Sequence, residues 1–329
     1  MDLMAMGDLS TPWCLRAVAT LRIADHLAAG IISIDDLAAA AECDSEALRQ
    51  VLQHMVIKGV FEEPEPGRFS LNEAAKGLLN PAQRIGLDLN GIGGRMTHAW
   101  PSLLSYLRTG APAYHEVFGL PFWEDLEAHP EIAASFDALI GPLGHGLPNP
   151  NFDLAGGWER VRTVVDVGGG TGAMLAEILR IRPQVHGTLL DLPRTVGRSN
   201  EIFRSAGVTD RVTNIGQSFF DPLPAGADVY LLRGVLNNWP DPEAIELLRR
   251  CAEAARPQGR IVILKSVSDE GDKGEFPVSA LFVGGKERTV AEFRVLADRA
   301  GLAVLAAERQ PSGYFAVECA PVAVGAQSE

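Results

Sequence analysis

The sequence predicts an α/β chain, a doubly wound parallel sheet preceded by a largely helical N-terminal part. Three observations carry this. From residue 161 onward, short apolar strand-like runs alternate with helical stretches, the pattern of a parallel sheet with crossover helices. One of those runs, Val164-Val-Asp-Val167, passes directly into Gly168-Gly-Gly-Thr-Gly172. Residues 10 to 80 show helical periodicity with a single hairpin signal.

At 329 residues, 47 % hydrophobic and 22 % charged, the chain has ordinary globular composition and length for about two domains. A net charge of −13 argues against nucleic-acid and anionic-membrane partners, which need clustered Lys and Arg. Cys14, Cys43, Cys251 and Cys319 are widely spaced and form no C-x-x-C, so they read as reduced thiols of a cytoplasmic protein. Asp2 and Asp8 at the start exclude a signal-peptide reading, and no apolar run reaches the roughly 18 residues of a membrane helix.

Thr11 and Pro12 open a helix with Leu15, Val18, Ala19 and Leu21 at helical spacing. Ser33 and Asp36 form a capping arrangement before Leu37-Ala-Ala-Ala-Ala. Asp44 or Ser45 caps a further helix with Leu48, Leu52 and Met55 on one face. Val60-Phe61 and Arg68-Phe-Ser-Leu71 then flank the turn signal Pro64-Glu-Pro-Gly67. Helices followed by a hairpin make a winged-helix pattern, but Ser45 to Lys58 offers only Arg49 and Lys58 as cations beside Glu46, which disfavours DNA binding. A dimerisation module fits better. Residues 85 to 150 are helical and rich in aromatics, with a Gly/Pro cluster at 141–150 as a linker. Then come strands at 161–167, 186–190, 211–215, 229–235 and 260–266, and helices after Gly172, at 242–256 and at 289–300. The antiparallel strands 302–308 and 314–319 close the chain. The domains expected are 1–84, 85–160 and 161–329.

Ligands of open α/β sheets bind at the carboxyl ends of the strands. Gly168 to Gly172, Asp191, Ser218 with Phe219, and Arg233 to Asn238 all fall there. The glycines let a cofactor approach the backbone. Asp191, 25 residues after Asp166, is placed to hold ribose hydroxyls. Because Gly168, Gly170 and Ala173 also satisfy G-x-G-x-x-G/A, the loop alone leaves a nicotinamide and another adenosine cofactor both open. No His, Cys and carboxylate set has metal-ligand spacing, so no metal is expected. His145, His98 and His115 read as solvated or packing histidines, and the absence of G-x-S-x-G disfavours an α/β-hydrolase.

Taken in order, Leu9-Ser-Thr-Pro-Trp, Ala19-Thr-Leu-Arg-Ile-Ala-Asp-His-Leu, Arg108-Thr-Gly-Ala-Pro-Ala-Tyr, Phe122-Trp-Glu-Asp-Leu, Asp166-Val-Gly-Gly-Gly-Thr-Gly, Leu190-Asp-Leu-Pro, Ser218-Phe-Phe-Asp-Pro-Leu-Pro and Gly284-Gly-Lys-Glu-Arg-Thr resemble the class I S-adenosylmethionine small-molecule O-methyltransferases. Within that family the chain is most similar to bacterial aromatic-polyketide and enediyne naphthoate enzymes. The resemblance implies a Rossmann-like methyltransferase sheet, an all-α winged-helix-like dimerisation domain and a homodimer. The implied cofactor is S-adenosyl-L-methionine or S-adenosyl-L-homocysteine. It also implies cofactor contacts from Asp166, Gly168, Gly169, Gly170, Asp191, Ser218, Phe219 and Arg233. A flat aromatic substrate would lie between the two parts, lined by Phe122, Trp123, Phe136, Ile140, Leu236 and Phe282. The family's Leu-His-Asp-Trp, whose His is the general base, reads Leu236-Asn-Asn-Trp239 here. Asn237 takes up no proton near neutral pH, and a placed base contributes on the order of 10²–10⁴ in rate. Lys265 stands where plant relatives carry the Glu that orients that His, while Glu287 remains. Asn237, Lys265 and Glu287 are the candidate catalytic residues. Three readings stay open: methyl transfer by positioning alone, a non-methylating reaction such as hydroxylation, decarboxylation or pericyclic chemistry on the same cofactor, or a catalytically silent binding partner.

Overall fold

The computed structural model describes residues 3–269 and 276–322. It divides into two compact units, residues up to 100 with 126–145, and residues 101–125 with those from 146 on. The stretch 85–160 is therefore shared between them.

In the first unit α1 (Ser10–Thr20), α2 (Ile23–Ala28), α3 (Ile34–Ala40) and α4 (Ser45–Ile57) precede the hairpin β1 (Phe61–Glu65) and β2 (Arg68–Leu71). Local chemistry sets the boundaries. The Asp8 carboxylate accepts from the Ser10 N–H at 2.8 Å and so starts α1 earlier than Thr11. Ser33 Oγ accepts from the Asp36 N–H, and Asp44 caps α4 through the Ala47 N–H. β1 pairs antiparallel with β2, Phe61 opposite Leu71, and Ser33 bridges to Arg68. Val18, Ile23, Leu37, Leu52, Met55, Phe61 and Phe69 fill this unit's core. The cations of the α4 region are engaged within the unit: Arg49 pairs with Glu46, and Lys58 with Asp8.

After α5 (Pro81–Leu87) and α6 (Ile92–His98), the helices α7 (Leu103–Thr109), α8 (Tyr114–Phe118), α9 (Phe122–Ala128) and α10 (Pro130–Ile140) follow. Among the described residues the second unit is built on a seven-stranded sheet of β3 (Thr163–Val167), β4 (His186–Asp191), β5 (Val212–Gly216), β6 (Val229–Arg233), β7 (Arg260–Leu264), β8 (Leu302–Arg309) and β9 (Phe315–Pro321). Their order is β8-β9-β7-β6-β3-β4-β5. The five strands from β3 to β7 are parallel, and β9 and β8 add antiparallel, as the sequence predicts.

Alternation along the strands separates two cores, one on each face. Val165, Val167, Tyr230, Leu232, Ile261 and Ile263 join one, with α12 (Asp241–Ala255) and α14 (Val290–Arg299) against it. Val164, Leu189, Leu231, Val262 and Leu264 join the other, with α11 (Ala173–Ile181). Both faces are covered, as parallel sheets require. A short helix, α13 (Ser279–Val283), precedes α14, whose capping box joins Thr289 and Glu292. The chain direction reverses its winding between β3 and β6, and the crevice beyond their carboxyl ends is where the glycine loop lies. No helix among the described residues is long and apolar enough to cross a membrane.

Candidate active site

Strand β3 ends in the loop Gly168–Gly172, with positive φ at Gly168, Gly170 and Gly172. Gly168 and Gly169 N–H groups bond to Leu190 O, so the loop is tied to the end of β4. Asp191, at that end, accepts from the Gly170 N–H at 2.8 Å and from the Leu192 N–H at 2.7 Å. Burial raises its pKa, while these two N–H groups lower it. A Cβ on Gly168 would lie 3.0 Å from Val235 and 3.3 Å from Phe219, so those side chains close over the loop. Ser218 accepts from the Phe220 N–H at 3.2 Å and shapes the turn that presents Phe219.

Beneath the loop, Asp166 is 1 % exposed. Gly169 sits on it, since a Cβ there would come within 2.6 Å of the carboxylate. Burial pushes its pKa up to about 7; the Arg233 charge opposes this and Asp191 adds to it. Its Oδ2, and Nε of Arg233, are buried without a hydrogen bond among the described residues. A buried carboxyl held protonated gives folded protein a proton that the unfolded chain releases near pH 3.9. Its contribution to stability therefore falls as pH rises from about 4 to about 7. Against Asp166→Asn, the melting temperature of the natural protein should decline between pH 5 and 7.5. Parallel curves for the two proteins would show that Asp166 holds no such proton.

Arg233 and Lys265, at the ends of β6 and β7, both face the Tyr314 ring, at 5.8 Å and 5.4 Å from its centroid. Tyr314 OH accepts from the Asn149 N–H. Lys265 has φ 59° and an exposed side chain. Burial of part of its length, with the Arg233 charge, lowers its pKa.

Asn237 stands in the 3₁₀ turn Leu236–Asn238 that follows β6. From the end of β7 it is Ser266 that bonds to it, while Lys265 faces Tyr314. Ser266, 1 % exposed, bonds through Oγ to Asn237 Oδ1 at 3.0 Å. A Cβ on Gly285 would clash with the Asn237 carbonyl oxygen, so the Gly284-Gly285 loop lies directly against this turn. Glu287, two residues on, is exposed and makes no hydrogen bond or ion pair with the described residues. Arg288 turns inward and is 1 % exposed. It donates to the carbonyls of Leu236 at 3.0 Å, Trp239 at 2.8 Å and Lys286 at 3.1 Å, and pairs with Asp241 at 2.7 Å.

Aromatic rings extend from this turn. Trp239 stacks on Trp123 at 6.1 Å and meets Phe219 and Phe220 edge-on at 5.8 Å and 5.0 Å. Trp123 meets Phe122 at 5.0 Å, and Phe122 stacks on Phe282 at 5.6 Å. Tyr114 packs edge-on against both Phe122 and Phe282, and its hydroxyl donates to buried Asp125 at 2.7 Å. Phe122, Trp123 and Phe282 thus form one continuous wall from α9 to α13. Leu236 is 1 % exposed and backs the site from the core. Phe136 and Ile140 stand on α10 in the other unit, the first half-buried and the second 39 % exposed.

Sequence reasoning missed Ser266, Tyr314 and the buried role of Arg288. Arg288 had a signal, since it belongs to Gly284-Gly-Lys-Glu-Arg-Thr. Among the described residues no cluster of His, Cys, Asp and Glu has the form of a metal site.

A model of the O-methyltransferase domain matches residues 100–303, and one of the O-methyltransferase dimerisation domain matches residues 3–81. The chain is 42 % identical to the aclacinomycin 10-hydroxylase RdmB of Streptomyces purpurascens, over 92 % of this chain and 84 % of that one. It is 38 % identical to the 2,7-dihydroxy-5-methyl-1-naphthoate 7-O-methyltransferase of Streptomyces carzinostaticus, over 96 % of each. Among solved structures, the O-methyltransferase NcsB1 from neocarzinostatin biosynthesis, in complex with S-adenosylmethionine and 2-hydroxy-5-methyl naphthoic acid, superposes with a TM-score of 0.90. It is 37 % identical and is covered over 99 %, against 98 % of this chain.

Proposed function

The chain belongs to the O-methyltransferase family, and from that premise we propose that it methylates an oxygen of a flat, aromatic polyketide-like intermediate without a His general base. It is an S-adenosylmethionine-dependent enzyme of that family. The residues present suit the cofactor: a glycine loop at the end of β3, a carboxylate at the end of β4, and buried Asp166 Oδ2 and Arg233 Nε atoms that make no hydrogen bond among the described residues. Asp191 would hold the ribose hydroxyls, Gly168, Gly169 and Gly170 the methionine part, and Ser218 and Phe219 the adenine. Asp166 and Arg233 would face the charged groups of the amino acid end. The bound cofactor supplies an electrophilic methyl group on a sulfonium.

The observation that carries the substrate class is the wall Phe122–Trp123–Trp239–Phe219, which leads from α9 to the glycine loop and suits a planar ring system. With Asn237 in the base position, the chain's contribution is to hold the acceptor oxygen near the methyl group and exclude water. Lys265 and Glu287 would set the charge around that oxygen. Residues 1–84 would form a winged-helix-like dimerisation part of a cytoplasmic homodimer, 161–329 the cofactor part, and 85–160, with Phe136 and Ile140, the substrate region.

A second reading is favoured by the 42 % identity to a 10-hydroxylase and by the loss of the His. In it the same cofactor site serves a non-methylating reaction. Calorimetry should show S-adenosylhomocysteine binding and NADH not binding; the reverse would overturn the cofactor assignment. With methyl-labelled cofactor and a panel of aromatic polyketide acceptors, label in the product supports methyl transfer. Acceptor turnover without label supports the second reading.

A further inference from the structure

Asn237 carries two kinds of polar atom, and the chain decides which of them meets the acceptor. Ser266 is the deciding group. Its hydroxyl is buried, and a buried hydroxyl has one proton to place. The acceptor it finds among the described residues is Asn237 Oδ1, at 3.0 Å. With the amide turned over, Nδ2 could donate to Ser266 Oγ, but the Ser266 proton would then lose the acceptor it has among the described residues, a costly arrangement in a buried site. Oδ1 is therefore occupied and directed at Ser266. Nδ2, with two protons, makes no hydrogen bond to the described residues.

We infer that Ser266 is a positioning residue that fixes the Asn237 amide with its N–H donors toward the acceptor, so that the enzyme selects aromatic hydroxyls already ionised near neutral pH. This rests on the methyl-transfer reading above. A donor at that point stabilises an oxyanion and removes no proton from a neutral phenol. The acceptors it suits are hydroxyls made acidic by a conjugated carbonyl, as on a quinone or a vinylogous acid. Their proton goes to solvent on ionisation. The oxygen then takes the methyl group: an O–C bond forms, the C–S bond breaks, and its electron pair stays on sulfur. The turn is held for this purpose independently of Ser266, by Arg288 on the Leu236 and Trp239 carbonyls and by Gly285 against the Asn237 carbonyl.

The test uses the full chain and a series of hydroxylated naphthalenes, from plain naphthols to hydroxyquinones. With S-adenosylhomocysteine bound, the phenolate absorbance of a bound hydroxyquinone should appear about one pH unit lower than in free solution, since a hydrogen bond to a charged group is worth roughly tenfold. Ser266→Ala should abolish most of that displacement and Ser266→Thr should restore it. In labelled-methyl assays Ser266→Ala should lower kcat/KM on hydroxyquinones about tenfold, with S-adenosylhomocysteine affinity unchanged. Added to Asn237→Ala it should cost nothing further, because the two act as one unit. A natural phenolate displacement in Ser266→Ala overturns the inference, and so do additive losses or a parallel loss of S-adenosylhomocysteine binding. No label in any product, with the displacement present and sensitive to Ser266, overturns methyl transfer and upholds the role of Ser266.

Discussion

Replacing Arg288 by alanine is expected to destabilise the protein by about 3–5 kcal/mol and to abolish catalysis. The side chain is 1 % exposed and holds three carbonyls and the Asp241 carboxylate. Each buried acceptor left unpaired costs roughly 1–3 kcal/mol, so the three carbonyls carry most of the effect, while the Asp241 carboxylate, 40 % exposed, is re-solvated and adds little. The carbonyls come from both sides of the site, the turn around Asn237 and the loop at Lys286, so both lose their anchor together. In a domain of this size the melting temperature should fall by roughly 10 °C. Arg288→Lys should recover part of this, since an ammonium is a point charge without the fork that reaches several acceptors. A melting temperature within about 2 °C of the natural protein for Arg288→Ala would contradict the clamp.

Asp191→Ala is expected to weaken S-adenosylhomocysteine binding by about 10²–10³-fold. Two effects combine. The carboxylate is the acceptor proposed for the ribose hydroxyls, and charge-assisted hydrogen bonds are worth about 1.5–3 kcal/mol each. It also receives the Gly170 and Leu192 N–H groups, so its loss slackens the glycine loop. Asp191→Asn keeps the shape but sets an amide N–H against a backbone N–H, and should lose nearly as much. Calorimetry on folded variants decides this. A dissociation constant within about threefold of the natural value would remove Asp191 from the cofactor site.

The meeting of the glycine loop with Asp191 was legible because it depends on local chain geometry. A strand that ends in Asp166-Val-Gly-Gly-Gly and a second that ends at Asp191 place a loop and a carboxylate together whenever the strands pair in parallel, and β3 and β4 do. Strand ends fell within one or two residues of expectation where capping or glycine marked them. The acceptor half was less legible because it depends on how distant loops meet. Lys265 was singled out by its place in the family pattern, but the chain takes φ 59° at that residue, so its side chain shares Tyr314 with Arg233 and Ser266 meets Asn237. Nothing in the spacing of Ile263-Leu-Lys-Ser announces that exchange. Arginine is usually a surface residue, so the burial of Arg288 follows only from seeing which carbonyls lack partners. Tyr314 enters from the antiparallel edge, far along the chain from the two cations it serves.

The clamp on the turn at 236–239 grips backbone and leaves the side chains of the turn untouched. Identity at position 237 is thereby uncoupled from the architecture that presents it. A mutation there alters the reagent offered to the substrate while the mount stays in place, so selection can try a base, an amide or a small residue without first repairing a broken fold. A scaffold with that property can diversify by exchanging one tip at a time.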